Sequence, residues 1–399
     1  MTTISQIDYG PGRSAWGSLR ILIGGMFGMM VAMGIGRFVF TPILPLMQRD
    51  LGMTNTVAGW LAGLNYLGYL IGALACSFAP QLLRSRVVNG SSLLLSIATT
   101  FCMGATLSTF WWGTMRLIGG MASAILFILI SAEVAESLAR RGHMHWSGSL
   151  YGGIGAGIAL SGLLVPPLDR VSGWSGAWIG MGALAALLAL VGIILGRQHE
   201  SLQPVKSTTA PGGASLAGIR VLTVAYFFEG LGYIVTATFL VAIIAATPGL
   251  ATFAPYSWVA VGLAAVPSTV FWAHLARRIG ARPALFAAYV LQGAGVVVSI
   301  WAASVPAVLF VAVSFGGTFL GIVGMTLAEG SRRIPGEGRR VAAILTVGFG
   351  VGQMLGPVLA GTLADLHAGF TLPLLLAAVC IGLSGALTLL DRQFRIRTN

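Results

Sequence analysis

The sequence predicts an all-α membrane protein in which twelve transmembrane helices form two parallel six-helix halves. Composition is the first reason: 56% of the 399 residues are hydrophobic and 9% are charged, whereas about 25% are charged in an average soluble domain. The second reason is that the apolar runs continue for about 20 residues, the length that one α-helix needs to cross a bilayer. A membrane β-barrel would instead have alternating segments of about ten residues.

The apolar runs define the predicted spans in chain order. They cover residues 20–45, 57–80, 88–107, 109–136, 146–168, 174–196, 218–246, 253–276, 283–303, 306–329, 340–364 and 369–391. Most connections are short, and the one long polar connection is rich in Pro, Gly and Ser, which is typical of a flexible linker. The predicted regions are therefore an N-terminal segment at 1–19, a six-helix half at 20–196, the linker at 197–217, a second six-helix half at 218–391 and a tail at 392–399.

The positions of the cations support this topology. When the connections are assigned alternately to the two sides, 19 of the 23 Lys and Arg residues fall on one side and only Arg49 and Arg170 on the other. Because cytoplasmic connections are enriched in Lys and Arg, both termini are predicted to be cytoplasmic. The sequence has no basic tail and no stripe of alternating basic and aromatic residues, so the net charge of +12 does not indicate a nucleic-acid partner.

An internal repeat is the third reason for the predicted fold. Three pairs of matching segments are Gly34-Ile-Gly-Arg37 and Gly230-Leu-Gly-Tyr233 at an offset of 196 residues, Ala135-Glu136 and Ala328-Glu329 at 193, and Gly153-x-Gly155-x-Gly157 and Gly348-x-Gly350-x-Gly352 at 195. The nearly constant offset indicates two copies of a six-span unit. Since six is even, both copies have the same orientation, and a binding site is expected between them. The glycine rows lack the strand and the Lys of a phosphate-binding loop, so they predict close helix packing.

Several motifs resemble those of the major facilitator superfamily (MFS) of secondary transporters, over essentially the whole chain. They are Trp272-Ala-His-Leu-Ala-Arg-Arg-Ile-Gly-Ala-Arg282-Pro, which has Arg277 where the family motif has an acid, the more degenerate Ala79-Pro-Gln-Leu-Leu-Arg84-Ser-Arg86, and Arg116-Leu-Ile-Gly-Gly120. Further segments are similar to the YbfB/YjiJ-type branch: Met33-Gly-Ile-Gly-Arg-Phe38, Thr41-Pro-Ile-Leu-Pro45, Ala58-Gly-Trp-Leu-Ala62, Asn65-Tyr-Leu-Gly-Tyr69, Glu229-Gly-Leu-Gly-Tyr233 and Gly350-Val-Gly-Gln-Met-Leu-Gly-Pro357. The resemblance implies the MFS fold and a monomeric helical carrier of a bacterial inner membrane.

Arg37 and Glu229 are the main candidates for the site. A cation inside a span costs at least about 2.5 kcal/mol on insertion scales, so Arg37 needs a reason to be there. Its planar guanidinium group suits a carboxylate, sulfonate or phosphate, and the resemblance places it in the central cavity. Glu229 is the one acidic residue well inside a span and is the candidate proton site. The alternatives are an Arg37 side chain that binds carbonyl groups or extends outward, and a permanent ion pair of Glu229 with Arg37 or Arg116.

Other polar residues have less specific predicted roles. Arg116 is a candidate for proton coupling because the resemblance places it near the coupling residues, and the alternative is a structural Arg that binds backbone groups. Tyr233, Asn65, Tyr69 and Gln353 are candidate substrate contacts, with packing as the alternative for each. Glu136, Glu329, Arg277, Arg278 and Arg282 are predicted to form a cytoplasmic gate.

These residues favour a proton-coupled carrier that takes up a small organic anion by alternating access. An interior Arg favours an anion, and protons offset the cost of bringing anions into a cell that is negative inside. The first rival is a proton-driven exporter of amphipathic compounds, and the second is a non-transporting sensor with a transporter fold. Cys76, Cys102 and Cys380 share no metal-ligand spacing, and the five His residues form no catalytic dyad, so no metal, cofactor or enzymatic activity is predicted.

Overall fold

A computed structural model describes residues 15–196, 216–391 and 393 of the chain, and these residues form helices and short connections without any strand. The helices are α1 (Ala15–Met29), α2 (Phe40–Leu51), α3 (Asn55–Phe78), α4 (Arg86–Met103), α5 (Thr109–Arg140), α6 (Gly152–Gly196), α7 (Arg220–Ala245), α8 (Ala254–Ile279), α9 (Ala281–Ser299), α10 (Val305–Arg333), α11 (Gly338–Leu366) and α12 (Thr371–Leu390). The prediction of a helical membrane protein is confirmed, because ten segments of this part of the chain are long and apolar enough to cross a bilayer.

The first of these segments, Ala15–Leu51, is interrupted in its middle. A π-helix, Met30–Ile35, follows α1, and residues 36–39 form a turn before α2 begins. A π-helix is wider than an α-helix because each amide bonds to the carbonyl five residues back. Here the Gly36 amide donates to the Val31 carbonyl at 2.9 Å. Such π-helical turns are frequent at functional sites because they change the direction of the side chains that follow. Arg37 lies in the turn immediately after this π-helix.

The count of ten differs from the predicted twelve for two reasons. First, one run of helical residues, α6, covers most of both predicted spans 146–168 and 174–196, and the non-helical backbone angles of Ser172 (φ −142°) and Gly173 (φ 65°, ψ −165°) mark a kink between two helices inside it. Second, α4 contains several Ser and Thr residues and is not apolar enough to count as a span, although it lies at the predicted span 88–107. Twelve spans therefore stay a prediction.

Close approaches at glycine hold the helices together. A Cβ atom added to Gly155 in α6 would lie 2.6 Å from the Gly262 carbonyl oxygen in α8, and one added to Gly352 in α11 would lie 2.7 Å from the Leu231 amide nitrogen in α7. A Cβ atom on Gly34 would lie 2.6 Å from Gly157, which fastens the first segment to α6. Small residues let the backbones approach in this way, so the glycine rows pack helices as predicted. α3 packs in the same way between α5 and α11.

Candidate functional site

Arg37 lies in the middle of the helix bundle, with only 4% of its surface exposed. Three aromatic rings surround its guanidinium carbon, with ring centroids at 4.3 Å for Tyr69, 4.6 Å for Tyr66 and 5.4 Å for Phe38. Tyr66 and Tyr69 are near the centre of α3, so α3 supplies two of the rings and the turn itself supplies the third. Cation–π attraction to these rings partly compensates the loss of water around the charge.

The guanidinium group of Arg37 has polar atoms without protein partners. Its Nε and Nη2 atoms are both buried, and neither has a hydrogen-bond partner in the part of the chain that the structure describes. A buried N–H group without an acceptor costs about 1–3 kcal/mol, and more when the group is charged. Nε–H and one Nη2–H point in parallel from the same edge of the guanidinium plane, which is the geometry that binds a carboxylate with two hydrogen bonds. The two N–H groups without a partner therefore lie along one edge of a buried guanidinium plane.

Rings from the later helices form an aromatic wall next to the turn that holds Arg37. Tyr233 of α7 is stacked with Phe349 of α11 at a centroid distance of 5.3 Å and an interplanar angle of 10°, and with Phe319 of α10 at 6.3 Å and 11°. Phe38 meets the edge of Phe319 at 6.1 Å, so the Arg37 turn contacts this wall directly. The Gln353 amide donates a hydrogen bond to the Tyr233 hydroxyl, which fixes that ring.

Glu229 is fully enclosed beside this wall. Only 1% of its surface is exposed, its Oε1 atom accepts a 2.9 Å hydrogen bond from the Gln292 amide, and its Oε2 atom has no hydrogen-bond partner among the described residues. The Gln292 oxygen accepts in turn from the Thr318 hydroxyl at 3.1 Å. Within the described ranges Glu229 makes no ion pair, so neither of the permanent pairs considered from the sequence is present.

Arg116 and Asn65 connect α5 with α3. The Arg116 Nε–H donates to the Leu61 carbonyl at 3.3 Å, and the guanidinium carbon lies 4.8 Å from the centroid of the Phe40 ring. Asn65 donates its amide to the Arg116 carbonyl at 2.9 Å. These bonds agree with the structural alternative for Arg116 and the packing alternative for Asn65. Arg116 also interacts electrostatically with Arg37, so it adds positive potential to the central region.

The residues predicted as a cytoplasmic gate lie at the end of the bundle where α5 and α10 finish. Glu136 pairs with Arg140 of its own helix at 2.5 Å, and Glu329 pairs with the two arginines that follow it, Arg332 and Arg333. Arg277 and Arg278 are exposed, and the Arg277 guanidinium lies 3.5 Å from the His274 ring nitrogen. Arg282 donates to the Thr388 carbonyl of α12 at 3.3 Å.

Two acidic residues that the sequence did not single out join separate helices. Asp391 accepts from Arg333 at 2.6 Å and thereby ties the end of α12 to the end of α10. At the opposite end, the Asp365 carboxylate of α11 accepts from the backbone N–H groups of Asn55 and Thr56, at 3.2 and 2.7 Å, where α3 begins. Both lie at span ends, where sequence patterns do not distinguish a solvated acid from one that binds another helix.

Comparison with known proteins places the chain among transporters. Residues 29–389 match the family described as "Uncharacterised MFS-type transporter YbfB". The "Uncharacterized MFS-type transporter YceJ" of Bacillus subtilis (strain 168) is 23% identical over 54% of this chain and 56% of its own length. The "Probable transporter SCO4007" of Streptomyces coelicolor is 26% identical over 38% of this chain and 35% of its own. The chain thus spans about half or less of the length of these relatives.

Solved structures give the same fold. The match to the nucleoside transporter NupG covers 96% of this chain and 100% of that one with a TM-score of 0.67, and the match to a point mutant of NupG covers 95% and 99% with a TM-score of 0.68. Sequence identity is 13% in both comparisons, so the likeness concerns the fold alone.

Proposed function

Since this chain belongs to the family of the MFS-type transporter YbfB, we propose that it takes up a small organic anion together with protons across the inner membrane of a bacterium. The buried edge of Arg37 is the observation that carries the proposal. A buried charge whose N–H groups have no protein acceptor is costly to keep, and a carboxylate supplies two hydrogen bonds and the opposite charge. Arg116 adds positive potential without occupying that edge.

Glu229 is the coupling residue in this mechanism. A carboxylate charge that is buried without a cation is expensive, whereas a neutral carboxyl group hydrogen-bonded to an amide is not. The Gln292 amide holds one oxygen and leaves the other free for a proton. The carboxyl group then carries its proton through the occluded state and loses it when water reaches the region. Proton entry offsets the electrical cost of anion uptake.

The architecture that goes with this mechanism is the predicted one. α6 crosses twice, with the non-helical Ser172 and Gly173 between its crossings, and α4 crosses once. Helices before the linker then form one six-helix half and those after it the other, in the same orientation, with both termini cytoplasmic and the protein monomeric. Tyr233, Tyr69 and Gln353 are the other substrate contacts, while Asn65 joins α3 to α5 through its bond to the Arg116 carbonyl. The cytoplasmic gate consists of Glu136, Glu329, Arg277, Arg278 and Arg282.

Replacement of Arg37 by Lys tests the proposal. The assay measures uptake of labelled acetate, pyruvate, succinate or benzoate, whichever the wild type transports, into proteoliposomes with an inward proton gradient. We expect the uptake rate of the purified variant to be about tenfold lower than that of the wild type, or lower still. The physical reason is that an ammonium group cannot present two parallel donors. Arg220→Lys, a change at an exposed arginine at the start of α7, is the matched control and should transport normally.

A thermal-shift assay separates the rivals. A carboxylate that prefers the folded protein raises its apparent stability by mass action, and this shift should vanish in Arg37→Ala. Stabilisation by lipophilic cationic dyes alone, unaffected by Arg37→Ala, would contradict anion uptake and support the exporter. Binding without flux in proteoliposomes would support the sensor.

A further inference from the structure

We propose that the transported anion is a planar aromatic carboxylate, bound by its carboxylate to Arg37 and by its ring to the aromatic wall of Tyr233, Phe319 and Phe349. This inference rests on the proposed function, since it names the substrate class of the same site. Three features support it: the contacts of Arg37, the orientation of the aromatic wall, and the packing that connects Arg37 to this wall.

The unpartnered atoms of Arg37 define the shape of the anionic group. Nε and Nη2 lie along one edge of the guanidinium plane, and the Tyr66 and Tyr69 rings pack against its carbon with centroids at 4.6 and 4.3 Å. A carboxylate is flat and can accept from both atoms of this edge while staying in the plane. A sulfonate or phosphate has a third oxygen outside that plane and needs more room beside the two tyrosine rings.

The orientation of the wall defines the rest of the ligand. Phe315 and Phe319 are 5.3 Å apart with an interplanar angle of 8°, and Tyr226 and Phe349 are 4.2 Å apart at 13°. Together with Tyr233, these rings have nearly the same plane orientation, although they come from α7, α10 and α11. Offset stacking on such a wall favours a flat ring, because aromatic pairs gain about 0.5–1.5 kcal/mol beyond their buried area.

The two ends are joined through neighbouring residues. Phe38 follows Arg37 directly and meets the edge of Phe319 at 6.1 Å and 75°. Arg37 also interacts electrostatically with Tyr233. Arg37 and the aromatic wall are thus neighbours in the structure. This arrangement suits a ligand whose carboxylate is attached to its ring directly or through a short link.

Binding of matched acids to the detergent-purified full chain tests the substrate class. The probes are benzoate, cyclohexanecarboxylate and benzenesulfonate, titrated by calorimetry. Cyclohexanecarboxylate has the same charge and a similar size as benzoate but is not flat, and benzenesulfonate keeps the ring and changes the anionic group. We expect benzoate to bind about tenfold more tightly than either of the others, which corresponds to about 1.4 kcal/mol.

Two variants assign the preference to the wall. Phe319→Leu should bring the affinities for benzoate and cyclohexanecarboxylate to within about threefold of each other, because one stacking partner is lost. Phe310 lies on the same helix with 42% of its surface exposed. Phe310→Leu should therefore leave the preference for benzoate over cyclohexanecarboxylate unchanged.

The possible failures are distinguishable. Equal or tighter binding of cyclohexanecarboxylate to the wild type, with binding still lost in Arg37→Lys, would overturn the aromatic class and leave the anion carrier standing. Tighter binding of benzenesulfonate would overturn the planar carboxylate. Absence of binding by all three acids would overturn this inference, and the anion carrier would stand or fall on uptake of acetate, pyruvate and succinate. Binding that is insensitive to Arg37→Lys would overturn this inference and the proposed function together.

Discussion

The two oxygens of Glu229 have different surroundings, and this difference is the basis of its proposed role. One accepts a hydrogen bond from Gln292, whose own oxygen is bonded to Thr318, so the acceptor side of the carboxyl group is fixed. The other has no protein partner among the described residues. A substitution that keeps the first contact and removes the proton site can therefore separate folding from coupling.

Glu229→Gln is that substitution. We expect proton-driven accumulation in proteoliposomes to fall to the level of passive equilibration, while exchange of labelled for unlabelled substrate continues at a similar rate. The amide side chain still accepts from Gln292 but cannot take up a proton. Asp50→Asn, an exposed acid at the end of α2, serves as the control and should accumulate substrate normally. Loss of exchange together with a lower melting temperature in Glu229→Gln would indicate a structural role instead.

Sequence reasoning located the charged residues of the centre and named Tyr69, the ring nearest to Arg37, but it did not predict which side chains contact each other. Arg37 and Glu229 were identifiable because a charge inside an apolar run is costly and needs a reason. Their contacts were not, because Tyr66, Phe319 and Gln292 come from three different helices, and the pairing of helices is not encoded in any local pattern. Phe315 and Phe319 carry only the four-residue spacing of one helix face, which ordinary packing also produces.

At the scale of the helices, the contact between α3 and α11 depends on the absence of a side chain. A Cβ atom on Gly59 would clash with the backbone carbonyl of Pro357, and it would lie 3.3 Å from the Cα atom of Val358. These are backbone atoms, which cannot rotate aside as a flexible side chain does. The same pair of helices is joined at one end by Asp365 and the N-terminal amides of α3.

Gly59→Ala should therefore destabilise the protein by about 1–3 kcal/mol, the usual cost of overpacking a tight contact. The measurement is the midpoint of thermal unfolding in detergent, which should fall by several degrees. Gly317→Ala in α10 is the matched control, because an added Cβ atom there meets nothing within 4 Å. Both changes give the same gain in helix propensity. Equal midpoints for the two variants would contradict a close α3–α11 contact.

The sequence predicted the identity and packing of the helices better than it predicted their boundaries. The glycine rows predicted close packing, and Gly155 and Gly352 confirm it. The predicted spans 146–168 and 174–196 meet at Ser172 and Gly173, the two residues with non-helical backbone angles inside the long run of helical residues that forms α6. α4 is less apolar than the ten segments, since it contains Arg86 and Asn89 besides several Ser and Thr residues. Its hydroxyl groups bond to its own carbonyls, as Thr100 does to Ser96 at 2.8 Å.

For the molecule as a whole, the prediction of an MFS transporter of the YbfB-type branch is confirmed by the family match over residues 29–389, and with it the prediction that the chain is a transport protein and not an enzyme. This success came from motifs spread along the chain and from hydropathy, which depend little on exact contacts. Substrate, coupling ion and direction depend on a few side chains at the centre, and they remain proposals.

The number and direction of crossings are testable with single cysteines. In a background without Cys76, Cys102 and Cys380, which are free thiols, we expect Ser172→Cys to react with an impermeant maleimide added to intact cells. His145→Cys, before α6, should react only after the membrane is permeabilised. Both residues are exposed in the structure. Labelling of the two positions from the same side would contradict a double crossing by α6 and the twelve-span topology.

The π-helix Met30–Ile35 affects how this region of the protein can change during evolution. A π-helical turn holds one residue more than an α-helical turn, and each residue of an α-helix turns the next by about 100°. Deletion of one codon in this stretch would let the wider turn close to regular α-geometry, because that turn is what accommodates the additional residue. The side chains of Met30–Ile35 would then change direction through one deletion, without any substitution among the residues that surround Arg37.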